Sequence, residues 1–103
     1  MRNPAARGRA DATQPEMVEW LEREGHLVQD LHAVGEGCPD LLVGCSWGEL
    51  VLVEVKTPTG RLEASQQAWL WRWRGLPCCM PRSVVELRAW MERRRKLWSA
   101  RSS

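Results

Sequence analysis

Two short runs rich in apolar and β-branched residues, Pro39 to Cys45 and Glu49 to Lys56, stand on either side of Ser46-Trp47-Gly48. Runs of this length separated by a three-residue turn form a β-hairpin, and this constrains the fold more than any other stretch. With the turn centred on Trp47, Leu41 opposes Val53 and Val43 opposes Val51, which gives a continuous apolar surface for a helix to cover. Asp40 then faces Glu54 on the other side of the sheet. Lys56 lies two residues beyond Glu54 and shares its side, because side chains alternate along a strand. Three ionisable groups therefore converge at one end of the hairpin.

Two carboxylates about 5 Å apart, at an effective dielectric of about 20, repel by about 3 kcal/mol. A cation reverses that penalty. An oxygen-rich site with one or two carboxylates and no thiolate or imidazole suits Mg²⁺ or Mn²⁺, which hold phosphate substrates while keeping several waters. Thirteen of the fifteen basic residues are Arg, and only Lys56 and Lys96 are Lys. An ammonium is a compact point charge, whereas a guanidinium is a planar fork, so the choice of lysine at position 56 points to a chemical task.

Around the hairpin, Thr13-Gln14-Pro15-Glu16 has the form of a capping box that opens a helix carrying Met17, Val18 and Leu21 on one side and ending at Gly25. A strand over His26 to Leu31 follows. Thr57-Pro58-Thr59-Gly60 breaks the second hairpin strand, and Ala64 to Arg74 has helical composition. Leu76 to Met80, flanked by Pro77 and Pro81, suits an edge strand. Ser83-Val84-Val85-Glu86 is a second capping box, with Val84, Leu87, Met91 and Trp98 at helical spacing behind it. The expectation is an α/β domain, a mixed β-sheet flanked by helices in the order αβββαβα, over residues 13–98. Residues 1–12 are expected to be a flexible basic arm and 99–103 a flexible tail.

A chain of 103 residues can bury one core. No apolar run approaches the roughly 18 residues of a membrane span, and Met1 to Ala12 lacks the apolar centre of a signal peptide, so a cytoplasmic protein is expected. The four cysteines form no C-x-x-C pair and fall in no zinc-finger spacing with His26 or His32; they read as small buried apolar residues. Net charge is only +2, but Asp11 to Glu54 holds ten acids against Arg23 alone, a balance of −9 that leaves +11 for the rest. Arg61, Arg72, Arg82 and the run Arg93, Arg94, Arg95, Lys96 either follow a phosphate backbone or form a solvated helix face.

Gly37-Cys38-Pro39-Asp40, then Glu54-Val55-Lys56, then Leu62 with Gln66 four residues on, resembles the G-x-P-D, E-x-K, L-x-x-x-Q pattern of the VRR-NUC branch of the PD-(D/E)xK nucleases, and especially its small stand-alone phage members. The likeness spans about Asp11 to Glu86. It implies a PD-(D/E)xK nuclease-like sheet and Mg²⁺- or Mn²⁺-dependent cleavage of DNA. Asp40 and Glu54 become metal ligands, the backbone carbonyl of Val55 a third, Lys56 the catalytic lysine and Gln66 a helical glutamine that supports the site. Glu16 matches the acidic residue of the family's first helix, so it is either a further ligand or only the cap described above. Pro15 and Glu63 depart from the family pattern. The expected endonuclease is either structure-selective, in the manner of a Holliday-junction resolvase, or nicking; the resemblance implies a homodimer acting on branched DNA, and the helix around Trp69 and Trp73 offers apolar area for its interface. The competing reading is a catalytically silent nucleic-acid-binding module that retains the fold.

Overall fold

A computed structural model describes residues 4–57 and 59–102, and of residues 4–12 and 102 the backbone alone. The elements are α1 (Pro4–Arg23), β1 (Leu27–Asp30), β2 (Leu41–Gly44), β3 (Leu50–Val53), α2 (Ala64–Arg72), β4 (Cys78–Cys79) and α3 (Val84–Ser102). The order αβββαβα is the one expected.

The hairpin pairs in the expected register, with Leu41 opposite Val53 and Val43 opposite Val51. β1 adds antiparallel to β2, and β4 adds parallel to β3, so the sheet runs β1-β2-β3-β4. β4 is an edge strand as its prolines require. The amides of Leu52, Glu54 and Lys56 donate to the carbonyls of Pro77, Cys79 and Pro81, so two of the three acceptors on this rung belong to residues that have no N–H to offer.

Leu41, Val43, Val51 and Val53 point to one face, where Met17 and Leu21 of α1 and Leu87 and Met91 of α3 meet them; all eight are buried. α1 closes with the amide of His26 donating to Leu21 and that of Gly25 to Glu22, a Schellman pair that the left-handed Gly25 (φ 92°) permits. Cys45 and Cys79 belong to the core, whereas Cys38 and Cys78 are only half-buried.

Three expectations need correction. α1 starts at Pro4 and not at Thr13, so Glu16 stands inside a helix and closes no capping box. The cause is upstream: Pro4 has the fixed φ favoured at a first helical position, and the Ala- and Arg-rich stretch behind it has high helix propensity. α3 extends through the expected tail to Ser102, with Arg101 in its last turn complementing the helix dipole. α2 stops at Arg72, buries none of its residues and leaves Trp71 and Trp73 exposed. Among the described residues no helix is long and apolar enough to cross a membrane.

Candidate active site

One residue pair beyond Leu41 and Val53, the hairpin places Asp40 against Glu54. Asp40 Oδ2 accepts the backbone N–H of Val55 at 2.8 Å, which fixes the carboxylate across the hairpin end. The segment leading to Asp40 is set by Gly37, whose φ of 87° lies in the left-handed region. A Cβ there would stand 2.2 Å from the carbonyl oxygen of Ser65, so only glycine lets this loop lie on the first turn of α2. That contact brings α2 over Glu54.

Gln66 joins the parts. Its Oε1 accepts the Glu63 amide at 2.8 Å and the Lys56 ammonium at 3.1 Å, while its Nε2 donates to Glu54 Oε2 at 2.5 Å. The reversed amide would set donors against donors, so the network holds the side chain in one orientation. Glu63, a departure from the family pattern, thus starts the helix through Gln66 itself. Lys56 Nζ also donates to the carbonyl of Arg61 at 3.0 Å and lies 3.5 Å from Glu54 Oε2. Glu54 and Lys56 are both buried.

Burial pushes the Glu54 carboxyl above its usual range and the Asp40 charge adds to this, against the opposing effects of Lys56 and Gln66. Burial first and Glu54 second push the Cys78 thiol up to about 12. Cys38 is shifted upward by burial, Glu54 and Asp40. Both thiols stay protonated and offer no thiolate beside the carboxylates.

Asp40 Oδ1, Glu54 Oε1 and the Val55 carbonyl accept no hydrogen bond among the described residues. Among the described residues no three His, Cys, Asp or Glu side chains gather into a metal-binding group. Two carboxylates and a carbonyl, with remaining positions left to water and phosphate, fit a hard divalent ion of the Mg²⁺ kind and not a zinc-type cage.

The structure brings together Asp40, Glu54, Val55, Lys56 and Gln66. Glu16 is exposed on α1 and is not among the groups that act on Glu54. The expected DNA-contacting residues divide. Lys56, Arg61, Leu62, Met80, Arg82 and Trp90 line an open cleft beside the site, and Arg93 lines a second cleft that shares Met80 and Trp90 with it. Arg72 and Lys96 are exposed. Arg94 is a correction: its Nε and a terminal nitrogen both lie 2.6 Å from Oε2 of the buried Glu49, whose Oε1 accepts the Trp47 indole N–H. Its charge is committed within the fold. Arg95 pairs with Glu92 on the surface. Two participants carried no signal in the sequence, the Arg61 carbonyl and the bond from Arg82 to the Gly60 carbonyl at 2.9 Å.

The VRR-NUC domain family matches residues 8–79 of the chain. A solved structure described as a VRR_NUC domain is similar to it, with a TM-score of 0.67 and 26% identity over 82% of this chain and 95% of that one. No curated protein matches.

Proposed function

Because the chain belongs to the VRR-NUC family of nuclease domains, we propose that it is a DNA endonuclease that hydrolyses phosphodiester bonds with Mg²⁺ or Mn²⁺ held by Asp40, Glu54 and the Val55 carbonyl. The observation that carries this reading is the joining of Glu54 and Lys56 through Gln66, with Asp40 fixed beside Glu54 by the Val55 amide. When bound, such an ion supplies Lewis-acid polarisation of a phosphoryl oxygen and lowers the pKa of a coordinated water. Asp40, tied by one oxygen to the Val55 amide, keeps its other oxygen for the ion. Lys56 places a compact positive charge beside Glu54, where it stabilises negative charge developing on a phosphate oxygen. Gln66 holds Glu54 and Lys56 at a constant separation.

Arg61, Arg72, Arg93 and Lys96 are the exposed cations we assign to the phosphate backbone. One domain with one such site cuts one strand at a time, so coordinated cleavage of a branched junction calls for a homodimer. The stacked indoles of Trp69, on a helix that buries none of its residues, and Trp73, at the cap that ends it, lie 5.4 Å apart and supply apolar area for it. Incubation with supercoiled, linear, single-stranded and cruciform DNA, with and without each ion, tests the activity, and light scattering tests the dimer. Binding without cleavage under every condition would replace the enzyme with a silent binding module. A monomer that cuts cruciform and linear DNA equally would remove the junction preference alone.

A further inference from the structure

We infer that Arg82 is a positioning residue for the Lys56 ammonium, an inference that rests on Lys56 serving the proposed cleavage. The Lys56 amide donates to the carbonyl of Pro81, so the residue just before Arg82 already backs the lysine. Beyond Lys56 the chain reverses, with the Gly60 amide donating to the Thr57 carbonyl at 3.1 Å. A Cβ on Gly60 would stand 2.9 Å from Thr57 Oγ1, so the reversal is drawn tight. It returns the Arg61 carbonyl to 3.0 Å from Lys56 Nζ.

The preceding carbonyl, that of Gly60, accepts a guanidinium N–H of Arg82 at 2.9 Å. Two consecutive carbonyls thus each face a cation, one as anchor and one as the seat of the ammonium. The anchor is needed because glycine resists backbone rotation least, and rotation at Gly60 would swing the Arg61 carbonyl off Lys56. Arg82 is itself held at the start of α3: its amide donates to Glu86 Oε1 at 2.8 Å, and the Glu86 amide donates to Ser83 Oγ at 3.1 Å. The path from the α3 cap to the lysine therefore runs through hydrogen bonds to the Gly60 carbonyl, then along the backbone to Arg61, whose carbonyl holds the ammonium.

A phosphate contact and a positioning role predict different losses. A phosphate contact weakens DNA binding and lowers its salt dependence by about one counterion when removed. Positioning lowers the rate at saturating DNA and leaves affinity and salt dependence alone. Single-turnover cleavage and salt-dependent DNA binding are to be measured for wild type, Arg82→Gln and Arg82→Lys. We expect Arg82→Gln to slow cleavage about tenfold or more at unchanged affinity, since small misplacements of a reacting group have effects of that order. Arg82→Lys is expected to recover most of the rate, because an ammonium also donates to the Gly60 carbonyl. In a Lys56→Ala background Arg82→Gln should cost nothing further. Should the Gln variant fail to fold, Arg82→Met, which keeps the apolar stem, takes its place in both backgrounds. An unchanged rate, a loss confined to affinity, or an equal loss with and without Lys56 would overturn the inference. Wild-type cleavage that Lys56→Ala removes and Arg82→Gln does not would sink this inference alone, whereas no cleavage by wild type would sink the nuclease reading.

Discussion

At the scale of the residue, Glu54 and Lys56 carry the strongest constraints because both are buried and neither has a spare geometry. Burial and Asp40 raise the Glu54 carboxyl, which means that its charged form costs more in the fold than in the unfolded chain. Replacing it with the neutral isostere removes that cost, and the Gln66 amide still has an oxygen to donate to. Glu54→Gln, and likewise Asp40→Asn, is therefore expected to abolish cleavage without lowering the melting temperature of the metal-free protein. Mn²⁺ should raise the melting temperature of wild type by binding the native state and should raise that of the variants less. Equal gains would argue against a shared ion. Lys56→Arg tests the ammonium itself. Its acceptors on Arg61 and Gln66 lie at 3.0 and 3.1 Å around a compact charge, and a planar guanidinium cannot occupy the same space. A loss of at least about a hundredfold in rate is expected with DNA affinity retained, and an active arginine variant would contradict it.

Elements place these residues, and Gly37 is where one element is fitted to another. Its backbone passes so close to Ser65 that Gly37→Ala must displace the first turn of α2 and with it Gln66. A loss of about 2 kcal/mol or more is expected, together with a loss of cleavage. Gly35 supplies the control, since its φ of 70° is also left-handed but nothing lies within 4 Å of the added atom. Gly35→Ala should cost about 1 kcal/mol from strain alone and keep activity; thermal melts and cleavage rates of the pair check both. The hairpin and its acidic face were open to sequence reasoning because a period of two and a short turn together determine register. The start of α1 was not, because a capping box is a local signal and helix formers upstream override it. Arg94 was hidden for another reason. Its partner Glu49 is 45 residues away, and a run of basic residues looks the same in sequence whether its charges meet solvent, phosphate or a buried carboxylate. The Arg61 carbonyl left no trace, since every residue has one.

Across the whole molecule, the site end of the hairpin and its turn end serve separate ends of the fold, and the turn end holds the titration most relevant to stability near neutral pH. His26 stands where the close of α1, the start of β1 and the hairpin turn meet. Its ring lies edge-on to Trp47 at 5.3 Å and tilted against Trp20 at 6.4 Å. Its Nδ1 accepts the amide of Ser46 at 3.0 Å, an arrangement that requires Nδ1 to be unprotonated. Burial lowers the His26 pKa below 6.5, and the charge of Glu24 opposes this only in part. With the folded value below the unfolded one, the unfolded chain binds more protons over the interval between them, so stability rises with pH there. The contribution of His26 is complete above about pH 6.5 and is lost as pH falls toward the folded value. Glu54 acts in the opposite sense: its raised pKa makes acidification relieve a cost, in a window that begins at its own folded value and ends at the ordinary 4.5. Melting temperature is therefore expected to fall as pH goes from 7.5 to 5.5. His26→Gln should flatten that slope while losing some stability at pH 7.5, because an amide oxygen can accept the Ser46 N–H but cannot fill the space between two indoles. In Glu54→Gln the slope should persist, since the two groups titrate at opposite ends of the hairpin. A wild-type melting temperature that does not change over this range would show that His26 does not govern the acid sensitivity of the fold.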